Sequence, residues 1–342
     1  MISLIFNKKK SQKNLFCFSP EIMLATFTVE FILAGYSYFK YRTTRFGRGV
    51  IATLLLLGIF QLSEFYICRN SNPLFWSRVG FFSITLLPVL GLYLVSIVKR
   101  TSVFIKMGYV FAAGFALYYL LMPKSIEGAV CGGNYVIFNG SRGLYVFYGF
   151  YYFGFLFLAM WEAFEGIKGK IKNTILKKIL FWFIIGYLSF VLPLSLVYIF
   201  IAGSRIAVAS IMCGFAIVFA FILTFKIAPY YNKLSHYIGK IIEVKIDRPK
   251  GSKHPKHSYI YPINYGYIPG IKGLDGEEIG VYILGINKPI KNFKGKCIVI
   301  IEREDDNDDK LVVVPDGTNF TDKNIQEITY FQEKYFNSKI IR

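Results

Sequence analysis

Histidine and cysteine are scarce in this chain, with three and five residues among 342. His254 and His257 stand three apart, yet no acidic or cysteine partner sits near them, so they read as surface residues rather than zinc ligands. Cys17, Cys68, Cys131, Cys213 and Cys297 lack the close paired spacing of a structural metal site. Acidic residues are the second scarcity: 21 Asp and Glu face 40 Lys and Arg, for a net charge of +19. Residues 1–228 hold only six of the acids and carry +16, whereas residues 229–342 carry +3. A basic chain invites a nucleic-acid reading. The C-terminal third carries no basic stripe, and that class is set aside. A cleavable leader is also missing: the first apolar stretch begins late and lacks a small-residue cleavage site, so it reads as a membrane span.

What the chain does have is apolar length. Fully 54% of its residues are hydrophobic and 18% aromatic, too many for one soluble domain. Seven segments are long enough to cross a bilayer: 20–39, 49–67, 79–98, 104–122, 144–164, 179–200 and 207–227. Basic residues gather after the first (Lys40, Arg42, Arg45, Arg48), the third (Lys99, Arg100, Lys106) and the fifth (Lys168, Lys170, Lys172, Lys177, Lys178). Because cytoplasmic loops collect Lys and Arg, this alternation places the N-terminus outside and the C-terminal domain in the cytoplasm. Lys8, Lys9, Lys10 and Lys13 run against that pattern. Cys68 and Cys131 both fall in expected outer loops, which leaves a disulfide and two separate thiols equally open. Cys213 and Cys297 read as buried fillers. Glu30 is the deepest acid in a span and the main intramembrane ligand candidate. Glu64 lies near the outer end, and Glu162 and Glu165 lie near the inner end beside Lys168. Pro88 and Pro193 are expected to kink their helices. With so few intramembrane charges, a transporter is the weakest of the functional classes. The spans, with local texture such as FWSRVGFFSITLLP at 75–88, resemble the seven-helix input regions of bacterial histidine kinases, which implies a sensory role.

The chain changes character at Ala228-Pro229, where proline is expected to end the last span. Residues 1–19 form an N-terminal segment, 20–227 the membrane domain, 228–237 a linker and 238–342 a separate domain. In that domain 238–247, 281–286, 296–303 and 310–314 read as strands. Residues 261–270, YPINYGYIPG, read as a turn-rich aromatic segment. Residues 322–336 read as a helix, with Ile325, Ile328, Phe331 and Tyr335 on one face and Thr321 as N-cap. The expected fold is a seven-transmembrane α-helical bundle followed by a small α+β domain with an OB-like β-barrel.

Five runs carry a second resemblance: IDRPKGSKHP, YPINYGYIPG, DGEE, VYILG and DKLVVVP. Together they span nearly all of the last hundred residues and resemble the soluble, metal-dependent inorganic pyrophosphatases of the β-barrel type. That resemblance implies Mg²⁺ as cofactor and inorganic pyrophosphate as substrate. In the family, carboxylates hold the metal, and lysines, an arginine and tyrosines bind phosphate oxygens. Carried over residue by residue, Asp275 and Glu277 match the first two carboxylates of the acidic turn, and Gly280 stands where the third belongs. Tyr265 matches a phosphate-side tyrosine, and Asp308 and Lys310 match the later acid and its lysine. Asp305 or Asp306 matches the remaining acid. Asp247 stands for an early glutamate, Lys256 for an early lysine and Tyr335 for the tyrosine of the terminal helix. The hairpin that bears the family's arginine is missing between Lys256 and Tyr261.

The chemistry expected of this set is hydrolysis of diphosphate to two phosphates. Metal would be held by Asp247, Asp275, Glu277, Asp305 and Asp308, and substrate by Lys256 and Tyr335. Tyr265, Asp275 and Lys310 would stand at the reacting centre. The runner-up is a membrane receptor whose degenerate pyrophosphatase-like domain binds a phosphate ligand or a partner. Oligomeric state is not legible.

Overall fold

The computed structural model describes residues 19–99, 104–123, 125–131, 136–140, 142–169, 174–200, 208–231, 234–255, 259–273, 275–303, 305–306 and 308–342. The N-terminal lysines, Cys17, Arg100, Lys170, Lys172 and Lys256 lie outside them.

The first part is helical: α1 (Pro20–Tyr41), α2 (Arg45–Cys68), α3 (Pro73–Lys99), α4 (Ile105–Leu121), a hairpin β1 (Ile126–Cys131) and β2 (Val136–Gly140), then α5 (Arg142–Lys168), α6 (Thr174–Phe200) and α7 (Val208–Ile222). Among the described residues six helices are long and apolar enough to cross a membrane, the sixth running on from α7 as Val208–Tyr231. The expectation of seven is not met in full. The fourth helix is apolar but has 17 residues, about 25 Å at 1.5 Å per residue. Helices α1, α2 and α3 pack in sequence, and α7 closes against α1 and α2. Cys68 at the end of α2 is disulfide-bonded to Cys131 of β1, which ties the hairpin over one end of the bundle. At the other end Lys99 of α3 pairs with Glu162 of α5. Glu162 thus meets the third helix rather than the loop after its own.

The last span does not stop at Pro229. A π-helical turn, Leu223–Ile227, carries the chain into α8 (Ala228–Tyr231). Proline lacks an amide hydrogen, and the widened turn, in which the Ala228 amide bonds the Leu223 carbonyl, takes the chain past it. Tyr231 then stacks on Phe46 of α2 with centroids 4.5 Å apart. A short 3₁₀ turn, Leu234–Tyr237, follows, and its Leu234 is buried in the core of the next domain.

That domain comprises β3 (Ile241–Arg248), β4 (Asn264–Lys272), β5 (Glu278–Ile283), β6 (Asn292–Arg303), β7 (Lys310–Val314), α9 (Asp322–Glu333) and β8 (Ser338–Ile341). The strand order is β3-β4-β5-β7-β6-β8, and β3 also pairs β6, which closes a five-stranded barrel. Strands β5 and β7 run parallel and the other pairs antiparallel. Side chains alternate along each strand. Val281, Ile283, Leu311 and Val313 enter the barrel lumen, and Tyr282, Leu284, Val312 and Val314 pack with Ile325 of α9. Burial on both faces explains why these strands read as unbroken apolar runs. Helix α9 starts at a capping box, with the Thr321 hydroxyl accepting from the Asn324 amide at 3.2 Å. The aromatic stretch expected as turns is strand β4. Its Gly266 is required because a Cβ there would meet the Lys245 carbonyl of β3 at 2.2 Å.

Candidate ligand site on the barrel

Strands β4, β5 and β7 bring Tyr265, the acidic turn and Lys310 to one end of the barrel. In the turn before β5, the Asp275 carboxylate accepts the Glu277 amide at 3.0 Å, and the Gly273 amide bonds the Glu277 carbonyl at 2.8 Å. These bonds hold Asp275 facing inward while Glu277 is exposed. Burial, and then the charge of Asp308, pushes the Asp275 carboxyl above its usual range. Lys310 is buried, pairs with Asp308, and lies 5.6 Å from the centre of the Tyr265 ring. Burial acts to lower the Lys310 pKa, but Tyr265 and Asp308 outweigh it and hold the ammonium above its usual range. Burial raises the Tyr265 hydroxyl against the opposing pull of Lys310.

The position that lacks the third carboxylate is not an open hollow. A Cβ built on Gly280 would lie 2.1 Å from the Tyr265 hydroxyl oxygen and 2.8 Å from Lys310 Nζ. The tips of those two side chains occupy the space above the glycine.

Beside them lies a network that reasoning from sequence missed. The Arg303 guanidinium, at the end of β6, is 1% exposed. It grips Glu333 of α9 with two bonds, Nε to Oε2 at 3.0 Å and Nη2 to Oε1 at 2.6 Å. Its Nη1 reaches Asp306 at 3.2 Å and Asp308 at 3.3 Å, and the group stacks over Phe336 at 3.7 Å. The Tyr282 hydroxyl donates to Glu333 Oε1 and the Ser338 hydroxyl to Oε2, each at 2.6 Å. Burial acts to raise Glu333, but Arg303 outweighs it and holds the carboxyl below its usual range. The sequence signal was the position of Glu333. It lies on the buried stripe of α9, four residues after Thr329 and eight after Ile325. A charge on a buried face calls for a partner.

The other expected site residues stand apart. Asp305 is exposed, and its carboxylate accepts the Asn337 amide at 3.0 and 3.1 Å, so it braces the segment before β8. Asp247 pairs with its neighbour Arg248 at 3.1 Å. Tyr335 is exposed beneath Lys334. Lys256 lies outside the described residues. Asp275, Asp308, Lys310 and Tyr265 therefore come together, while Asp247, Asp305 and Tyr335 do not join them.

Residues 240–340 match the family model for inorganic pyrophosphatase. The C-terminal domain is pyrophosphatase-like. No curated protein matches the chain. Among solved structures, an inorganic pyrophosphatase from Neisseria gonorrhoeae is 22% identical, over 28% of this chain and 74% of that one, with a TM-score of 0.25. An inorganic pyrophosphatase from Ehrlichia chaffeensis is 20% identical over 31% and 86%, with a TM-score of 0.26. One from Helicobacter pylori is 20% identical over 31% and 84%, with a TM-score of 0.25.

Among the described residues no three His, Cys, Asp or Glu side chains stand close enough to hold a metal ion. Asp308 is neutralised by Lys310 and Arg303, Gly280 offers no oxygen, and Asp247 and Asp305 are engaged elsewhere. Among the described residues the carboxylates that come together, Asp275 and Asp308, are fewer than a cluster of several Mg²⁺ ions needs.

Proposed function

We propose that the protein is a membrane-embedded receptor whose cytoplasmic pyrophosphatase-like domain binds inorganic pyrophosphate, or a similar phosphoanhydride, without efficient hydrolysis. The family match supports the ligand class. The observation that carries the loss of turnover is the Gly280 position, filled by Tyr265 and Lys310 where the resemblance calls for a metal-holding carboxylate. Lys310 is the binding charge: a diphosphate entering the site replaces Asp308 on the ammonium, and Lys acts on phosphate as a point charge. The six apolar helices supply the membrane anchor. The distribution of basic loops and the disulfide at the opposite end support a cytoplasmic barrel, since disulfides persist on the oxidising side. The resemblance to histidine-kinase input regions supports the sensory role of the helices.

A second reading, a Mg²⁺-dependent diphosphatase, is favoured by one feature: Asp275, Asp308 and Lys310 converge. Calorimetry and phosphate release on the whole detergent-solubilised protein separate the two. Pyrophosphate binding that is lost in Lys310→Met, with phosphate release at background, supports the receptor. Metal-dependent release that is lost in Asp275→Asn supports the enzyme.

A further inference from the structure

The membrane bundle holds two carboxylates that the barrel chemistry does not use. Glu30 of α1 is 0% exposed and Glu64 of α2 is 1% exposed. Both Glu30 oxygens and Oε1 of Glu64 lack a hydrogen-bond partner. The Glu64 charge acts on Glu30, and three of the four carboxylate oxygens have no hydrogen-bonding partner to offset it. Ser210 of α7 lies within hydrogen-bonding reach of the Glu64 carboxylate, so the pair sits where α1, α2 and α7 meet.

A further buried polar residue lies on the same face of α2. Gln61 of α2 is 2% exposed, and its amide nitrogen is without a partner. Gly58, one turn before it, faces Glu30: a Cβ there would lie 3.8 Å from Glu30 Oε2. Glu64 comes one turn after it. Residues three apart lie on one helix face, so Gln61 shares its face of α2 with Glu64 and with Gly58, which meets Glu30. Two carboxylates with three unpartnered oxygens in an apolar bundle are costly unless something binds there.

We propose that Glu30 and Glu64, with Gln61 and Ser210, form an intramembrane site for a hard metal cation. Carboxylate, amide and hydroxyl oxygens suit Na⁺, Mg²⁺ or Ca²⁺ and not a soft metal. The site also reaches the outer hairpin, because the Val136 amide of β2 donates to the Ser210 hydroxyl at 3.3 Å. Occupancy is therefore coupled to the disulfide-tethered hairpin.

The test uses the full chain in lipid nanodiscs at fixed pH and ionic strength, with N-methylglucamine as the inert cation. Thermal unfolding is followed while Na⁺, Mg²⁺ or Ca²⁺ is titrated separately, with hydrogen exchange of the β1–β2 amides read in parallel. The expected result is saturable stabilisation by at least one of them and slower hairpin exchange, with the apparent affinity falling at least tenfold in Glu30→Gln. Mg²⁺ binding at the barrel is separated by that variant, which leaves Asp275 untouched. Should Glu30→Gln fail to fold, Ser210→Ala is expected to shift the affinity in the same direction. No cation-specific stabilisation of the unmodified protein would overturn the site and leave protons alone to neutralise the carboxylates. Stabilisation unchanged in both Glu30→Gln and Ser210→Ala would overturn it equally.

Discussion

At Gly280 even a methyl group would lie 2.1 Å from the Tyr265 hydroxyl and 2.8 Å from the Lys310 ammonium. Gly280→Ala is therefore expected to destabilise the barrel by ~1–3 kcal/mol, the usual cost of overfilling a packed site. The loss would be smaller when Tyr265→Phe removes the hydroxyl. Faster hydrogen exchange in β4 and β5 reads that loss. Gly280→Asp alone gives no gain in turnover on this account, because the new carboxylate displaces the two groups that fill the space. Arg303 and Glu333 make the opposite case. Glu333→Gln leaves the buried Arg303 only Asp306 and Asp308 as counter-charges and is expected to cost up to about 3–5 kcal/mol. The two carboxyls also differ in sign with pH. Glu333 is held below its free value, so its contribution is fully present above roughly pH 4.3, the free glutamate pKa, and is lost as pH falls through the lower folded value. Asp275 is held above its free value, so it opposes folding at neutral pH and ceases to do so on acidification. Asp275→Asn should accordingly raise barrel stability at pH 7, and unchanged or lower stability would contradict that.

Among the elements, the disulfide gives the sharpest prediction. It closes a separation of 63 residues between α2 and β1. Chain-entropy arguments assign a crosslink of that span roughly 4 kcal/mol. Cys131→Ser should lower the stability of the bundle by up to that amount and free the hairpin, read as faster exchange of the β1–β2 amides. The elements also show where sequence reasoning ends. Strand β7 was legible to the residue because Lys310–Val314 is an apolar run between an acidic loop and a proline. Helix α9 was legible from its stripe and its capping threonine. Strand β4 was not, because its Gly, Pro and Tyr content reads as turn until the close approach of β3 explains Gly266. Nor was the helix past Pro229, since the π turn that accommodates proline leaves no local signature. The motif named Asp275, Asp308 and Lys310, and the structure brings their side chains together. Arg303, which pairs with Asp308, was hidden because its acids come from two separate places: the loop of residues 306 and 308, and helix α9.

In the whole molecule a helical bundle, with a disulfide at one end, is joined to a barrel at the other. A membrane-impermeant maleimide, added to intact cells after mild reduction, should label Cys68 and Cys131. Labelling only in inverted vesicles would reverse the orientation. The halves meet through a short connector whose Tyr231 stacks on Phe46 of the bundle and whose Leu234 is buried in the barrel. That continuity gives a receptor a route by which a change among α1, α2 and α7 reaches the pyrophosphatase-like domain. On the proposed function, this domain holds its ligand and does not turn it over. The most direct measurement is phosphate release from inorganic pyrophosphate by the full protein with saturating Mg²⁺, beside Asp275→Asn. The account predicts background release from both. Metal-dependent release by the unmodified protein, abolished in Asp275→Asn, would contradict it.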